Sequence, residues 1–465
     1  MYNNVIYFGF QSIFILFGVF TSFAFILSYL NKSKNSLIFL VTFLFILLIV
    51  YFISFLKKSL VLDRISFIYF SLIGWLLIIL VSSIPLFELL SNSNLNQIIF
   101  YATSHVTTSG FNINTEQLNN KFILSLWVAI MQNIGALYTL LLFVIYSNIF
   151  FSGKILDISK KNIIKLHVLY LFFLFLYFLF IFSNDYNFFM SLSIASSIIS
   201  STGLKTFNSV FLSNDTNYII VTLMMLMTLL ILPIIVISNS KEPLKVCIRF
   251  FIKNKPNIYF FIFLILFLLL LFHEINIGII RKLFFIVSLV TTTGVLPADF
   301  QENIFEFSFN KYLLVILFVS VIGSFSGTTN GGLKINKLSL FFINLKEELN
   351  KFLFQHNIKG VNIIKKGSSQ NELNTFYALM IFSSILILIS IIFLNITGID
   401  LRTSLIYLIA SLSNTGESLL IVNNISERIK ADYYFLLNFF MICGKYEFIG
   451  YFLIFNKIFK LRKLI

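Results

Sequence analysis

The chain has 465 residues, of which 58% are hydrophobic and only 11% charged, and its mean hydropathy is +0.94. A soluble domain carries roughly 25% charged residues, so this composition excludes an ordinary soluble fold. The net charge of +15 would suit a nucleic-acid-binding protein, but the basic residues gather in alternate loops, around 57–64, 154–165, 241–255, 334–366 and 457–463. This alternation follows the positive-inside rule, so it argues against a nucleic-acid partner and places these loops in the cytoplasm. Lys32 and Lys34, in a loop assigned to the outside, are the exception.

Long apolar blocks follow one another along the chain, as membrane-spanning helices require. About 20 apolar residues cross the hydrocarbon core as a helix, which satisfies its own backbone polar groups within lipid. The first block lacks the basic start and the small-residue cleavage site of a signal peptide, so we expect it to be retained. We predict spans at 7–30, 37–56, 65–87, 122–150, 163–183, 217–240, 257–277, 312–345, 373–396 and 433–456. Their even number places both termini in the cytoplasm of a multi-pass protein of the cytoplasmic (inner) membrane.

Four gaps between spans contain a short amphipathic stretch, too short to cross a bilayer, that ends in a Ser/Thr-rich turn with glycine. One such turn is common at helix ends, but four on the side opposite the basic loops indicate an internal repeat. The last two turns lie farther apart in the sequence than the other neighbouring turns, and a cytoplasmic insert around 345–370 accounts for this longer spacing. The turns read Thr107-Thr108-Ser109-Gly110-Phe111, Ser200-Ser201-Thr202-Gly203-Leu204, Thr291-Thr292-Thr293-Gly294-Val295 and Ser413-Asn414-Thr415-Gly416-Glu417.

The predicted fold class is therefore an all-α integral membrane protein. Four pseudo-symmetric repeats, each a long helix, a short pore helix and a second long helix, are expected to surround one central pore. Two additional transmembrane helices occupy 1–60, and the repeats occupy 61–155, 156–245, 246–366 and 367–465. The third repeat includes a glycine-rich segment within its second long helix.

The turns have the composition of a filter for a monovalent cation. A ring of backbone carbonyl oxygens can replace the water that an ion loses, and glycine permits the dihedral angles that this arrangement needs. Rings of acidic or basic side chains serve other channels, and the turn cores contain neither. Each short helix would also direct the negative end of its dipole toward the cation. The predicted filter residues are Thr108, Ser109, Gly110, Ser201, Thr202, Gly203, Thr292, Thr293, Gly294, Asn414, Thr415 and Gly416. Outward acids such as Glu417 either concentrate cations at the mouth or are ordinary solvated loop charges.

The eighth span contains a glycine-rich interruption at 323–332. It is not a phosphate loop, because Leu333 stands where that motif requires lysine and no strand precedes it. Small residues in a span also serve close helix packing. In the last span, Lys445 is a charge at a depth that costs about 3 kcal/mol. Its side chain either faces the pore as an electrostatic barrier or forms a structural ion pair with another helix.

At these residues the sequence resembles the Trk/Ktr/HKT superfamily of potassium transporters, over about 65–465. The four turns look like that family's selectivity-filter segments, and 323–334 looks like its glycine-rich segment in the third repeat. Residues 443–448 are similar to its Gly-Arg-x-Glu stretch, with Lys445 in place of arginine, and Asn330 interrupts the usual glycine run. The two additional helices at the start resemble the bacterial Trk branch.

The resemblance implies K⁺ uptake with K⁺ at the filter residues as the transported ion and no cofactor bound by this chain. It implies a homodimer in membrane lipid, and a ring-forming, nucleotide-binding regulatory subunit on the cytoplasmic side. It also implies that 323–332 obstructs the closed pore. The gate residues are then Gly323, Ser324, Ser326, Gly327, Thr328, Thr329, Gly331, Gly332 and Lys445.

Two rival functions stay open. A sodium-selective or sodium-coupled member of the same family would share every feature described above. A polytopic membrane enzyme would need carboxylates or histidines clustered at one membrane face. His105 stands alone in the first short stretch, and the sequence shows no reacting constellation, so we predict that the chain is not an enzyme.

Overall fold

The structure is a computed structural model that describes residues 2–31, 36–56, 64–90, 93–112, 122–150, 159–184, 186–203, 215–238, 245, 255–274, 278–297, 309–353, 368–416, 419, 429 and 431–445. Across these ranges the regular structure is helical, as predicted. The helices are α1 (Tyr2–Leu30), α2 (Ser36–Leu56), α3 (Arg64–Leu89), α4 (Leu95–Val106), α5 (Phe122–Phe150), α6 (Lys160–Phe182), α7 (Phe188–Ser200), α8 (Asp215–Thr228), α9 (Ile231–Ser238), α10 (Lys255–Leu271), α11 (Ile279–Val290), α12 (Phe309–Ile322), α13 (Ile335–Leu353), α14 (Ser368–Ile396), α15 (Leu401–Ser413) and α16 (Tyr434–Lys445). Short 3-10 helices lie at Phe272–Glu274 and Ala431–Tyr433.

Five stretches of described helix are long and apolar enough to cross a membrane: Val5–Leu30, Ser36–Phe55, Ser66–Leu89, Phe122–Tyr146 and Lys160–Phe182. Their outward faces carry large exposed apolar side chains such as Val19, Leu48 and Phe172. A water-soluble protein rarely leaves so much contiguous apolar surface uncovered, whereas lipid accepts it.

Two predicted spans are not single helices. The span at 217–240 is divided into α8 and α9 by a turn at Leu229 and Leu230, each of whose N–H donates to the carbonyl three residues earlier. Pro233 follows, and it has no N–H to donate to the carbonyl of Leu229, so a regular helix cannot continue through this point. The span at 312–345 is divided into α12 and α13 by the non-helical segment 323–334. The break at 323–334 falls at the predicted glycine-rich interruption, whereas the expectation of one continuous helix over 217–240 was wrong.

The four short helices α4, α7, α11 and α15 form a closed ring with the long helices. Each short helix contacts the long helix before it and the one after it. Each also contacts the second long helix of the preceding unit: α7 contacts α5, α11 contacts α8, and α15 contacts α12. The contact of α4 with α16 closes the circle, so the four short helices surround one axis.

The N-terminal helices pack outside this ring. α1 and α2 pair with each other, and α1 also contacts α5 and α6. The indole of Trp127 on α5 lies between the rings of Phe17 and Phe39, with centroids 5.9 and 5.4 Å away. The hydroxyl of Tyr138 donates to the carbonyl of Ser71 at 2.7 Å, which joins α5 to α3. The N-terminal pair thus covers α5, whose residues are nearly all buried.

Candidate ion-binding site

The four Ser/Thr-Gly turns share one backbone conformation. A residue other than glycine has positive φ in each turn, at 54° for Thr108, 58° for Ser201, 49° for Thr292 and 56° for Asn414. Two residues later comes a glycine, also with positive φ, at 80° for Gly110, 60° for Gly203, 68° for Gly294 and 59° for Gly416. Positive φ outside glycine is uncommon. Its recurrence at the same position in four turns shows that they have one structure.

The middle residue of each turn caps the short helix in the same way. Its backbone N–H donates to the carbonyl five residues earlier, which is the long bond of a Schellman cap. The N···O distances are 2.7 Å for Ser109, 2.9 Å for Thr202, 3.0 Å for Thr293 and 3.2 Å for Thr415. The turn that follows each short helix is therefore held at the carboxyl end of that helix, where the dipole is negative.

A pair of hydroxyl groups also recurs in every turn, three residues and one residue before the glycine. The oxygen atoms are 3.0 Å apart for Thr107 and Ser109, 2.6 Å for Ser200 and Thr202, 2.7 Å for Thr291 and Thr293, and 2.8 Å for Ser413 and Thr415. The first residue of each turn was not among the predicted filter residues. The signal was present, because a hydroxyl residue stands three positions before each glycine.

Neighbouring turns touch through their glycines. A methyl group added at Gly110 would lie 2.1 Å from the carbonyl oxygen of Thr202, and one at Gly203 would lie 1.8 Å from that of Thr293. One at Gly416 would lie 1.8 Å from the carbonyl oxygen of Ser109. Each of these glycines is thus packed against the carbonyl just before the glycine of another turn. These contacts order the turns as four, one, two and three around the axis.

The segment 323–334 enters the ring from the end of α12. Gly323, Gly327 and Gly332 have φ of 66°, 85° and 84°, which a regular helix cannot accept. The returning chain pairs with the end of α12. The N–H of Leu333 donates to the carbonyl of Val321, and the N–H of Lys334 donates to the carbonyl of Ile322, both at 2.8 Å. The segment is therefore a closed hairpin-like excursion between two helices.

The tip of this excursion contacts three of the four turns. The hydroxyl of Thr329 donates to the carbonyl of Ile199 at 3.2 Å, at the end of the second short helix. The N–H of Gly331 donates to Oγ1 of Thr292 at 3.0 Å, and a methyl group at Gly331 would lie 2.1 Å from the carbonyl of Ser413. The tip of the segment thus lies against the ends of the second and fourth short helices and against the third turn.

Two lysines hold the segment. Nζ of Lys445, at the end of α16, donates to the carbonyl of Thr329, and Nζ of Lys334 donates to the carbonyl of Asn330. Nδ2 of Asn330 in turn donates to the hydroxyl of Ser324 at 2.7 Å. Asn330, expected only as an interruption of the glycine run, therefore joins the two sides of the excursion.

The remaining predicted gate residues lie in the same segment, 323–334. Thr328 donates to the carbonyl of Phe325 at 2.8 Å, while Ser326 is half-buried. A cavity of about 50 Å³ lies beside the segment, and both lysines line it together with Gly327, Thr328 and Asn330. Leu204, Glu417 and residues 446–448 lie outside the described residues. In the described part of the chain, no group of three His, Cys, Asp or Glu side chains comes together that could hold a metal ion.

The helices, the closed ring and the recurring turn define a multi-pass, all-α membrane protein with one central axis. Among solved structures, the chain is similar to the potassium transporter TrkH from Vibrio parahaemolyticus, with a TM-score of 0.79 and 17% sequence identity over 98% of each chain. No family model and no curated protein matches the sequence. The predicted fold class is confirmed, and the chain has the TrkH fold.

Proposed function

We propose that the chain carries K⁺ across the cytoplasmic membrane through the ring of four turns. The observation that supports this function best is the fourfold recurrence of one turn, with glycines packed against neighbouring turns. The solved protein with the same fold is itself named a potassium transporter. The filter residues of this proposal are those of the four turns from Thr108 to Gly110, Ser201 to Gly203, Thr292 to Gly294 and Asn414 to Gly416.

The chemistry of the turns suits a dehydrated monovalent cation. Their backbone carbonyls supply oxygen ligands, and their cores contain no ionised side chain that would favour a divalent ion or an anion. The ends of four helix dipoles add negative potential at the same place. The passage of an ion through such a ring needs no cofactor bound by this chain, and we propose that the chain is a transporter and not an enzyme.

The segment 323–334 is proposed to be the gate. Its tip contacts three turns, and Lys445 donates to the carbonyl of Thr329 in the same segment. A segment in this place would obstruct the path of the ion, and a protonated Lys445 would oppose a cation in transit. Opening requires the segment to leave these contacts. We propose that a cytoplasmic nucleotide-binding ring acts on it in a homodimer whose termini are both cytoplasmic, as the resemblance and the basic loops imply.

Ion flux into proteoliposomes tests this function directly. The purified full-length chain is reconstituted, and uptake of K⁺ and Na⁺ is measured under the same membrane potential. We expect K⁺ uptake to exceed Na⁺ uptake by about tenfold, which corresponds to about 1.4 kcal/mol of discrimination. Faster Na⁺ uptake would favour the sodium-selective alternative. The absence of any flux both from the correctly folded wild type and from a folded variant that lacks part of the proposed gate at 323–332 would contradict transport.

A matched pair of variants assigns the flux to the turns. Gly203→Ala places a methyl group against the carbonyl of Thr293, whereas Gly278→Ala adds one where no atom lies within 4 Å. We expect Gly203→Ala to lose discrimination between K⁺ and Na⁺, and Gly278→Ala to keep it. Equal ion preference in both variants would contradict the filter assignment.

A further inference from the structure

An apolar groove lies on the outer surface of the third repeat. Helices α10, α12 and α13 enclose a volume of about 590 Å³ between them. Phe263, Phe267, Leu314, Phe318 and Phe342 are among the side chains that line it, and all five are exposed. The groove is separate from the ring of turns, and nothing in the proposed function uses it.

The size and lining of the groove suit an acyl chain. Ligand pockets usually measure about 300–1,000 Å³, and this one is lined entirely by Phe, Leu, Ile and Val side chains. A polar ligand would find no hydrogen-bonding side chain among these residues. Since the groove is formed by apolar helices of a membrane protein, lipid chains are the apolar molecules that surround it.

Positive charge lies at one end of the groove. Lys255 is the first residue of α10, about 7.5 Å along the axis from Phe260, whose ring lies 5.6 Å from that of Phe342. Lys346 stands one turn after Phe342 on the same face of α13, and both lysines are exposed. Glu348, the nearby described acid on α13, projects from a different face because it is six residues from Phe342.

The apolar face of α13 extends beyond the groove. Leu345, Leu349 and Leu353 are exposed in continuation of Phe342, while Lys346 and Asn350 provide polar positions. Such an amphipathic helix beside basic residues is typical of contact with the headgroup region of an anionic leaflet. The groove therefore opens where lipid headgroups and lysines meet.

We propose that this groove binds an anionic phospholipid, with one acyl chain between α10, α12 and α13 and the headgroup phosphate near Lys255 and Lys346. The chain would pack on Val319 and Ile322 of α12. Ile322 directly precedes Gly323, so the bound lipid touches the helix that carries the segment 323–334. The site itself is independent of the proposed ion-transport function.

Native mass spectrometry of the purified full-length chain tests the acyl site. Dioleoylphosphatidylglycerol is titrated into the wild type, into Val315→Trp, whose indole fills the groove, and into Val41→Trp, an exposed valine on α2. We expect about tenfold weaker lipid retention in Val315→Trp and unchanged retention in Val41→Trp. Equal retention in both would overturn the proposal, as would a change in oligomeric state without a change in retention, which would assign the groove to a second copy.

The headgroup part of the proposal has its own variants. Lys255→Gln/Lys346→Gln is expected to bind dioleoylphosphatidylglycerol about tenfold more weakly, and no more tightly than dioleoylphosphatidylcholine. Lys160→Gln/Lys161→Gln, at the start of α6, removes the same charge away from the groove and is expected to bind like the wild type. Equal affinity of the wild type for the two lipids would overturn the proposal.

Discussion

Ser109 and Asn414 are 305 residues apart in the sequence, and the hydroxyl of Ser109 donates a hydrogen bond to Oδ1 of Asn414 at 3.0 Å. Nδ2 of Asn414 donates to the carbonyl of Thr107 at 3.3 Å, so both ends of the amide bind the first turn. Asn414 itself has a φ of 56°, which asparagine accepts better than most residues. One side chain thus ties the fourth turn to the first, while its backbone forms the fourth turn.

Replacing Asn414 separates these two contributions. Asn414→Gly keeps the positive φ but removes both hydrogen bonds, and we expect it to lower the free energy of unfolding by about 1–3 kcal/mol. Asn414→Ala also places alanine at positive φ, which adds about 1–2 kcal/mol. Thermal unfolding in detergent measures both, and K⁺ against Na⁺ uptake reports the geometry of the turns. A glycine variant as stable and as selective as the wild type would show that the amide contacts are unimportant.

Gly416 and Gly398 provide a comparison between steric contact and backbone strain. Both have positive φ, but a methyl group at Gly416 would lie 1.8 Å from the carbonyl of Ser109, while one at Gly398 meets no atom within 4 Å. Gly398→Ala should therefore lower the free energy of unfolding by only about 1–2 kcal/mol, the cost of alanine at positive φ, and it should keep the ion flux of the wild type. Gly416→Ala must also displace the first turn, so we expect at least a tenfold loss of K⁺ uptake. Similar flux in the two variants would contradict the contact between turns.

The sequence contained enough information for the helical class and for the turns. The long apolar blocks predict the spans because backbone exposed to lipid must satisfy its own polar groups as a helix, and the turns are recognisable because glycine and hydroxyl residues recur in each. The division at 229–230 was not predicted, because Pro233 lies within an apolar run that is otherwise typical of one span. Hydrophobicity alone gives no signal for such a break.

The tertiary contacts of the site could not be predicted from the sequence of any single repeat, because the partners come together only when the chain folds. Asn330 was noticed only as a departure from a glycine run, yet it binds Ser324 across the excursion. Asn133 lies next to Gln132 in a largely apolar span, and its side chain bonds to partners on two other helices. Such pairings depend on which helices become neighbours, and local patterns do not specify this.

Lys445 is the clearest test of the proposed gate. Its Nζ donates to the carbonyl of Thr329, so it holds the segment beside the turns, and in its protonated form it is the proposed electrostatic barrier. Lys445→Met removes the bond and the charge while keeping an unbranched side chain. We expect basal K⁺ uptake without any regulatory subunit to rise about tenfold, the effect of lowering the barrier by about 1.4 kcal/mol.

Lys445→Arg is the control for this experiment, because arginine keeps the charge and can donate to the same carbonyl. Its basal uptake should stay near that of the wild type. If the methionine variant is stable and has unchanged or lower uptake, neither the bond nor the charge limits the flux, and the gate assignment of Lys445 is wrong.

Asn133 and Tyr170 form a buried network behind the second turn. The hydroxyl of Tyr170 on α6 donates to Oδ1 of Asn133 on α5 at 2.9 Å, and Nδ2 of Asn133 donates to the hydroxyl of Ser196 on α7 at 2.9 Å. α7 is the short helix that carries Ser201 and Gly203, so the network fixes the position of that helix relative to α5 and α6. Asn133→Leu leaves two hydroxyl groups buried without this partner, which should cost about 1–3 kcal/mol of stability.

A double-mutant cycle distinguishes this bond from simple packing. In the wild type, Tyr170→Phe removes a hydroxyl group that is hydrogen-bonded to Asn133. In the Asn133→Leu background, the same substitution removes a buried hydroxyl group that has already lost this partner. The double variant should therefore be more stable than the sum of the two single effects predicts, by about 0.6–1.7 kcal/mol as for hydrogen bonds between membrane helices. Unfolding temperatures give the coupling, and additive effects would show that Asn133 and Tyr170 act independently.

Because the second turn follows directly after α7, we also expect Asn133→Leu to reduce the preference for K⁺, whereas Thr222→Val, on the exposed side of α8, should leave this preference unchanged.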